Sequence, residues 1–550
     1  TISGASGLTA GTLPDGVQAI DISFNTSGND VYITNAQGMS LTYWDGSVVS
    51  ESTGLTGGSG TWSATTTNWT GETGGLHGGW NSARFAIFAG DTGGTVTVDA
   101  TDGAISTLGM QFETTGYTVT GDGLTLVSDS EAAPIIRVGS ATTPNTTATI
   151  SSVLSGTKGL EKTDLGTLIL AGTNTYTGTT TVQAGTLQLG NGGATGSVDG
   201  NIVLGKTGEN YAVTLAVDHT DAFTLSNSIS GRGKLVQRGS GSTTLSGTNT
   251  YSGGTDILGG SLIVSADSKL GDAAGSVTIN GGTLEFSGDL SSTRGYTIGA
   301  SGGTINTGTY TDTITGIIGG TGQFNKTGTG TLILGGDNTF TGNLHVNAGT
   351  LQISDNSNLG NPDSHLYVNA ATLKFGDDFT MTHDLTLGGT GATIDVGADG
   401  SNTISGVIDG SKLTKTGGGT LLLEGTNNYT GDTEIDGGVL AVIRDVNFGA
   451  SVNPGSIIIG NATLRLDEDF TTARNIHLTD ANSTIDVVDD GFNMLDGVLS
   501  GTGALNKSGT GTLVLGGTNT YEGGTDIKSG ILQISKDGNL GKSDGGVQIA

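Results

Sequence analysis

Along most of this chain apolar side chains fall on every second residue for three to five residues, and each short run ends in Gly, Asn, Asp or Ser. Between Ile314 and Val407 such runs lie at 323–326, 332–334, 345–346, 351–353, 365–368, 373–375, 385–387 and 393–396. The series returns at 412–415, 421–423, 434–435, 440–442, 457–459, 464–466, 476–478 and 484–487. Alternation with period two is the pattern of a strand with one buried face, and runs this short are strands rather than helices. No long apolar run and no amphipathic helix of convincing length breaks the pattern. It predicts an all-β chain.

The runs are organised by a motif that occurs five times. Its Asn falls at Asn174, Asn249, Asn338, Asn427 and Asn519, followed two residues later by Tyr176, Tyr251, Phe340, Tyr429 and Tyr521. Gly stands two residues before and four and eleven after each Asn, as in Gly336, Gly342 and Gly349, and Leu stands thirteen after. Six residues before the Asn is Leu168, Leu332, Leu421 or Leu513, with Thr243 in the second copy. Repetition at such a period is the mark of a solenoid, in which each unit buries its apolar face on its neighbours. Eight strands in about 89 residues give about four coils of roughly 22 residues, at two or three strands per coil. A coil of that size has no room for a crossover helix. The expected fold is a right-handed parallel β-helix, its hand taken from the general bias of parallel crossovers, and a rod on the order of 90 Å long at strand spacing. The recurrent Gly residues are expected at corners that need positive φ or close backbone approach. The Asn is expected in a turn, bonding its own backbone.

All four Trp (Trp44, Trp62, Trp69 and Trp80) lie before the first strong alternation, in a Gly/Thr/Ser-rich stretch. This divides the chain into a β-rich N-terminal cap at 1–92 and a repeat-bearing β-helix at 93–550. The last unit reads as cut short, since Gly545–Ala550 corresponds to Gly275–Asn280, and the chain opens on Thr1 without Met. A piece of a longer parent is expected.

Composition narrows the function. Gly is 101 of 550 residues, with only 5 Pro, so abundant turns are expected but neither collagen nor a proline-rich linker. The formal charge is −30, which excludes nucleic acid as a natural partner. Cysteine is absent, which suits a chain that crosses an oxidising space unfolded, where a disulfide would jam export.

The run Gly-Thr-Gly-Thr-Leu-Val-Leu-Gly-Gly-Thr-Asn-Thr-Tyr-Glu-Gly-Gly-Thr-Asp-Ile at 509–527 closely resembles the passenger-associated transport repeat of bacterial autotransporters, and all five units share it. The stretch around Trp62 and Trp69 is similar to the segment that often precedes these repeats. The resemblance implies a Gram-negative envelope, Sec-dependent export, and an outer-membrane barrel elsewhere in the parent chain. It implies a surface-displayed or secreted passenger acting as adhesin, biofilm component or spacer, with a cell-surface glycan, a protein or a second copy as partner. A filament or sheath subunit is the structural alternative, and a β-helical polysaccharide lyase or hydrolase the enzymatic one.

Candidate chemistry is sparse, and no catalytic residue and no cofactor are expected. Gly299–Gly303 fits G-x-S-x-G around Ser301, but both flanks are strand-like and the motif needs a following helix. The six His show no metal-ligand spacing; His345 and His365 are one coil apart, close enough to stack, but no Cys or third His accompanies them, and a structural or exposed role is expected. Asp377 and Asp378, with Asp467 and Asp469 in the next unit, are the candidate ligands for weakly held Ca²⁺ on an acidic ladder. Trp62 and Trp69 are candidates either to plug the end of the solenoid or to stack on a glycan. Lys162, Lys326, Lys415 and Lys507 stand twelve residues before the Asn, with Gln237 in the second copy. They are expected to snorkel outward and relieve acidic repulsion.

Overall fold

The computed structural model describes residues 22–27, 30–35, 41–49, 52–80, 82–128, 130–205, 211–452, 454–488 and 491–550. The chain divides into two compact units, Thr1–Val277 and Thr278–Ala550. Each is a parallel β-solenoid, and the only described helices are short 3-10 turns such as Asn356–Leu359 and Asp445–Phe448. Antiparallel pairing among the described residues is confined to the hairpin 22–35 and to the strands Leu41–Trp44, Trp69–Gly71 and Gly74–Gly78, with one further bridge between Ser52 and Gly75.

In the first unit, parallel pairing reaches back to Leu41–Trp44 against Arg84–Phe88, and to Gly60–Trp62 against Thr95–Val98. Two faces then run coil upon coil. One carries Leu160–Thr163, Thr180–Val182, Ile202–Leu204 and Ile229–Gly231. The other carries Thr167–Leu170, Gly185–Gly193, Val213–His219 and Lys234–Gln237. A third face begins at Ala222–Leu225, paired with Ser242–Leu245.

In the second unit a full coil has three strands, as in Leu385–Gly388, Ala392–Val396 and Ser401–Ile404 before the chain returns to Ile408–Gly410. The period-two alternation appears as a burial pattern: Thr331–Leu334, Thr350–Ile353 and Thr372–Phe375 each bury their second and fourth side chains. Leu168, Leu332, Leu421 and Leu513 all point inward at 0% exposure. A stack of Leu, Ile and Val in register thus fills the coil, and each fully buried side chain contributes about 1.5–3 kcal/mol.

The repeat does not stay on one face. The sheet neighbours of Leu332 are Leu351, then Leu373, Ile394 and Lys415. Four coils therefore end at Lys415, and Leu421, the equivalent of Leu332, lies six residues further on the next face. The strands Thr331–Leu334, Thr420–Leu423 and Thr512–Leu515 accordingly belong to three different sheets.

The corner glycines have both predicted reasons. Gly349 and Gly438 sit at φ +67° and +62°, and a Cβ on either would stand 2.4 and 2.3 Å from the carbonyl oxygen of Gly330 or Gly419. Gly342 has ordinary φ, but a Cβ would lie 1.9 Å from Gly322 O.

Candidate functional site

The repeated Asn sits inside the wall rather than at a free turn. Asn427 Oδ1 accepts the Ile408 N–H of the preceding coil at 2.8 Å, and its Nδ2 donates to Asn447 O of the following coil at 2.7 Å. Asn174 bridges Leu154 N–H and Ser197 O, Asn338 bridges Ile318 N–H and Asn358 O, and Asn519 bridges Leu499 N–H and Asn539 O. Asn249 does the same between Ile229 N–H and Lys269 O. A carboxamide has the donor and acceptor of a peptide group, so one side chain continues the ladder where the main chain leaves it. None of the five Asn has positive φ. The turn expected for them is replaced by a bridge to the neighbouring coils, because the coil edge needs a donor and an acceptor in line.

The ring two residues on is buried beneath this bridge. Tyr176, Tyr251, Tyr429 and Tyr521 share a hydrogen bond with Thr180, Thr255, Thr433 and Thr525, at 2.8, 2.7, 2.7 and 2.5 Å. In the third copy Phe340 has no hydroxyl, and the partner position is Leu344. Both are buried. The hydroxyl and its partner are kept together or lost together, as the cost of an unpaired buried polar group demands. Burial raises the Tyr176 and Tyr429 hydroxyls well above their ordinary range.

The repeated Lys departs from expectation. Lys162, Lys326, Lys415 and Lys507 are buried, each with its ammonium in a ring of corner carbonyls. Lys415 Nζ donates to Thr416 O, Gly417 O and Gly437 O at 2.8, 3.0 and 3.0 Å. Lys326 reaches Gly328 O, Gly330 O and Ala348 O at 2.8, 2.8 and 2.9 Å. Burial pushes Lys162 down to about 7, against the pull of Asp164, and Lys415 down to about 8, against Asp395. In the second copy the Gln237 amide donates to Gly239 O at 3.0 Å instead. The Lys faces in because the corner presents more carbonyls than the backbone can satisfy.

Three of the four acidic candidates have an engaged carboxylate, Asp378 and Asp469 to the following coil and Asp467 within its own coil. Asp378 Oδ1 accepts Ser401 N–H at 2.7 Å, and Asp469 Oδ1 accepts Phe492 N–H at 2.6 Å. Asp467 takes both hydrogen bonds of Arg465, at 2.6 and 3.0 Å. Asp377 contributes its carbonyl to Asn402. Among the described residues no three His, Cys, Asp or Glu side chains gather as a metal site.

Trp62 and Trp69 are 0% and 2% exposed, packed edge to face at 5.1 Å with Trp44, Trp80 and Phe88 around them. Neither offers a ring face to a glycan. Ser301 lies in a turn with its N–H on Asn280 Oδ1. His345 stacks on Tyr367 at 4.2 Å rather than on His365, which meets the same ring at 4.6 Å. Tyr367 intervenes because it is the in-register neighbour of His345.

Two features escaped the sequence reading. Buried Arg474 donates from Nε to Asp445 at 3.1 Å and from Nη2 to Gly449 O at 2.9 Å, and His383, at the matched place one repeat earlier, meets Asn356 Oδ1 and Asn361 O. The Tyr–Thr and Phe–Leu pairs were the other. Their joint change is visible in the sequence at four-residue spacing, and is the signal that would have found them.

Comparison with known proteins agrees with this architecture. The passenger-associated-transport-repeat model matches residues 160–189, 235–264, 324–353, 413–442 and 505–534. The chain is 36% identical over 258 residues to the adhesin BmaC autotransporter of Brucella suis biovar 1 (strain 1330), over 42% of this chain and 7% of that protein. It is 29% identical over 270 residues to the probable autotransporter YfaL of Escherichia coli (strain K12), over 41% of this chain and 21% of that one. No solved structure matches. The chain carries five passenger-associated-transport repeats and is similar to these two autotransporters, of whose own length it spans only a small part. That places it at the surface of a Gram-negative cell, or secreted from it, after export across the outer membrane.

Proposed function

We propose that this chain is a repetitive β-solenoid passenger region of an adhesin. The observation that carries the reading is a contrast between the inside and the outside of matched coils. Inward positions stay almost wholly apolar, as in Leu366, Leu385 and Ile408 against Ile457, Ile476 and Leu499 one repeat later. The outward ladder changes completely, from His345, Tyr367, Thr386 and Asp409 to Glu434, Ile458, His477 and Ser500. A scaffold whose interior is held while its exterior diversifies is suited to display many weak contacts in series, and their effect multiplies. The likeness to a protein named as an adhesin supports the same reading.

In this reading the partner is a cell-surface glycan or protein, the parent chain ends in an outer-membrane barrel, and residues 1–92 cap the coils that follow. The chain is not an enzyme: Asp378 and Asp469 hold main-chain N–H groups of the following coil, and Asp467 is in an ion pair with Arg465. Beads coated with the chain are expected to attach to epithelial cells above the level of uncoated beads, and attachment at background removes the adhesive reading. Turnover of a polysaccharide that Asp378→Asn or Asp469→Asn abolishes would reverse the non-enzymatic one.

A further inference from the structure

One groove opens on the outside of the second unit, over the strands Ile457–Ile459, Ile476–Leu478 and Leu499–Ser500, and encloses about 460 Å³. Its floor is the in-register ladder Ile458, His477, Ser500, and its wall is Asp432, Ser456, Asn475 and Val498. The hollow belongs to this repeat's side chains and not to the fold. At the matched place one repeat earlier, Tyr367 stacks on His345, and His365 closes over it to Thr386 at 2.7 Å. Here Ser456 and Ile458 replace His365 and Tyr367, and the space those rings occupy is open.

We propose that this groove binds a short run of an uncharged oligosaccharide. The proposal deepens the adhesive reading, and it rests on that reading only for its biological setting. Three features choose this ligand. First, the surface is mixed: Ile458 and Val498, the latter 39% exposed, offer apolar contact for the C–H face of a sugar ring. Beside them His477 and Ser500 share a 3.2 Å hydrogen bond. The wall acceptors are half used, since Asp432 Oδ1 takes Ser456 N–H and Asn475 Oδ1 takes Val498 N–H, which leaves a carboxylate oxygen and an amide N–H₂ for hydroxyl groups.

Second, charge excludes acidic glycans. Among the described residues no Lys or Arg lines the groove, and Lys412, Arg465 and Arg474 of these coils are paired with Glu434, Asp467 and Asp445, on a chain of net charge −30. Third, a peptide finds no ladder to join. Ile457 N–H and Ile476 N–H donate to Asn475 O and Val498 O, and Leu499 N–H to the Asn519 side chain, so strand addition is closed. The groove crosses four coils, three steps of about 4.8 Å each, the reach of roughly a trisaccharide, and its volume is in the range of small-ligand sites.

The test is calorimetric titration of the whole 550-residue chain with cellotriose, mannotriose, chitotriose and the acidic trigalacturonate. At least one neutral trisaccharide is expected to bind, with trigalacturonate weaker by about tenfold or more. Ser456→Trp, which refills the hollow, is expected to abolish binding with an unchanged melting temperature, and the exposed His477→Ala to weaken it several-fold. No neutral binding, equal binding of trigalacturonate, or binding indifferent to both variants overturns the proposal. Bead attachment separates the two readings. If Ser456→Trp loses the trisaccharide and the beads never attached, the groove stands and the adhesive reading falls. If the beads attach and no trisaccharide binds, the groove falls alone.

Discussion

Tyr429 and Thr433 show what one hydrogen bond does inside a coil. Tyr429→Phe leaves the Thr433 hydroxyl buried without its partner and is expected to cost about 1–2 kcal/mol in urea unfolding. Thr433→Leu alone strands the Tyr hydroxyl at similar cost. The double change recreates the pair that Phe340 and Leu344 already form, so its loss should be smaller than the sum by about 1 kcal/mol or more. Additive losses would show that the pair is not coupled. Asp312 is a second case. Its Oδ1 accepts Leu290 N–H at 3.0 Å, and burial first, then Asp289, lift its pKa to about 7 in spite of Lys326. An unfolded Asp ionises near pH 4, so between about pH 4 and 7 the folded chain holds more protons. Stability is therefore full below pH 4 and falls as the pH rises through 7. Asn402 and Asn493 hold the matched positions beside Leu421 and Leu513, as Asp312 does beside Leu332. Asp312→Asn is expected to flatten this slope and to raise stability at pH 8 by about 1–2 kcal/mol; thermal melts at pH 4, 6 and 8 compare the two proteins.

At the scale of an element, the motif is a substitute strand. Above Ile408–Gly410 the chain runs past as Asn427–Tyr429, with Asn428 N–H on Ile408 O at 2.8 Å and the Asn427 side chain completing the ladder above and below. Asn427→Ala removes both bonds and leaves Ile408 N–H and Asn447 O buried and unmatched. A loss of about 2–4 kcal/mol is expected, with amide exchange accelerated first at Ile408 and not in the coils before Leu385. Uniform acceleration along the unit would mean that the bridge carries no local load. The alternation that predicts the strands is local information, and it placed Leu332, Leu351 and Leu373 correctly. The bridge was not legible, because Asn174 and its equivalents acquire their partners from coils about 20 residues away on either side. The same is true of the groove over Ile458 and His477, whose side chains meet only once the coils are stacked.

At the scale of the whole molecule, the repeat and the coil have different periods. Because one repeat of the second unit is four coils plus one face, excision of Leu332–Thr420 joins Thr331 to Leu421 and returns every later strand of that unit to a self-consistent register. The shortened chain is expected to unfold cooperatively with an unchanged β-sheet circular dichroism per residue. Removal of one residue more, through Leu421, puts Glu424 at the inward place of Leu334 and turns the following strand inside out. That variant is expected to lose cooperativity near the junction. Equal behaviour of the two deletions would refute the register argument.

The sequence by itself determined the strands, their inward Leu and Ile, the corner glycines and the passenger-associated-transport repeats. All of these depend on the alternation of neighbouring residues or on the identity of a motif. Only the tertiary structure decided that the four repeated Lys turn inward, that Trp62 and Trp69 are buried, that the Asn bridges coils, and that each motif of the second unit lies one face onward from the last. Those outcomes depend on which coil lies above which and how many carbonyls meet at a corner. Closure of the coil sets that geometry, and no run of consecutive residues records it.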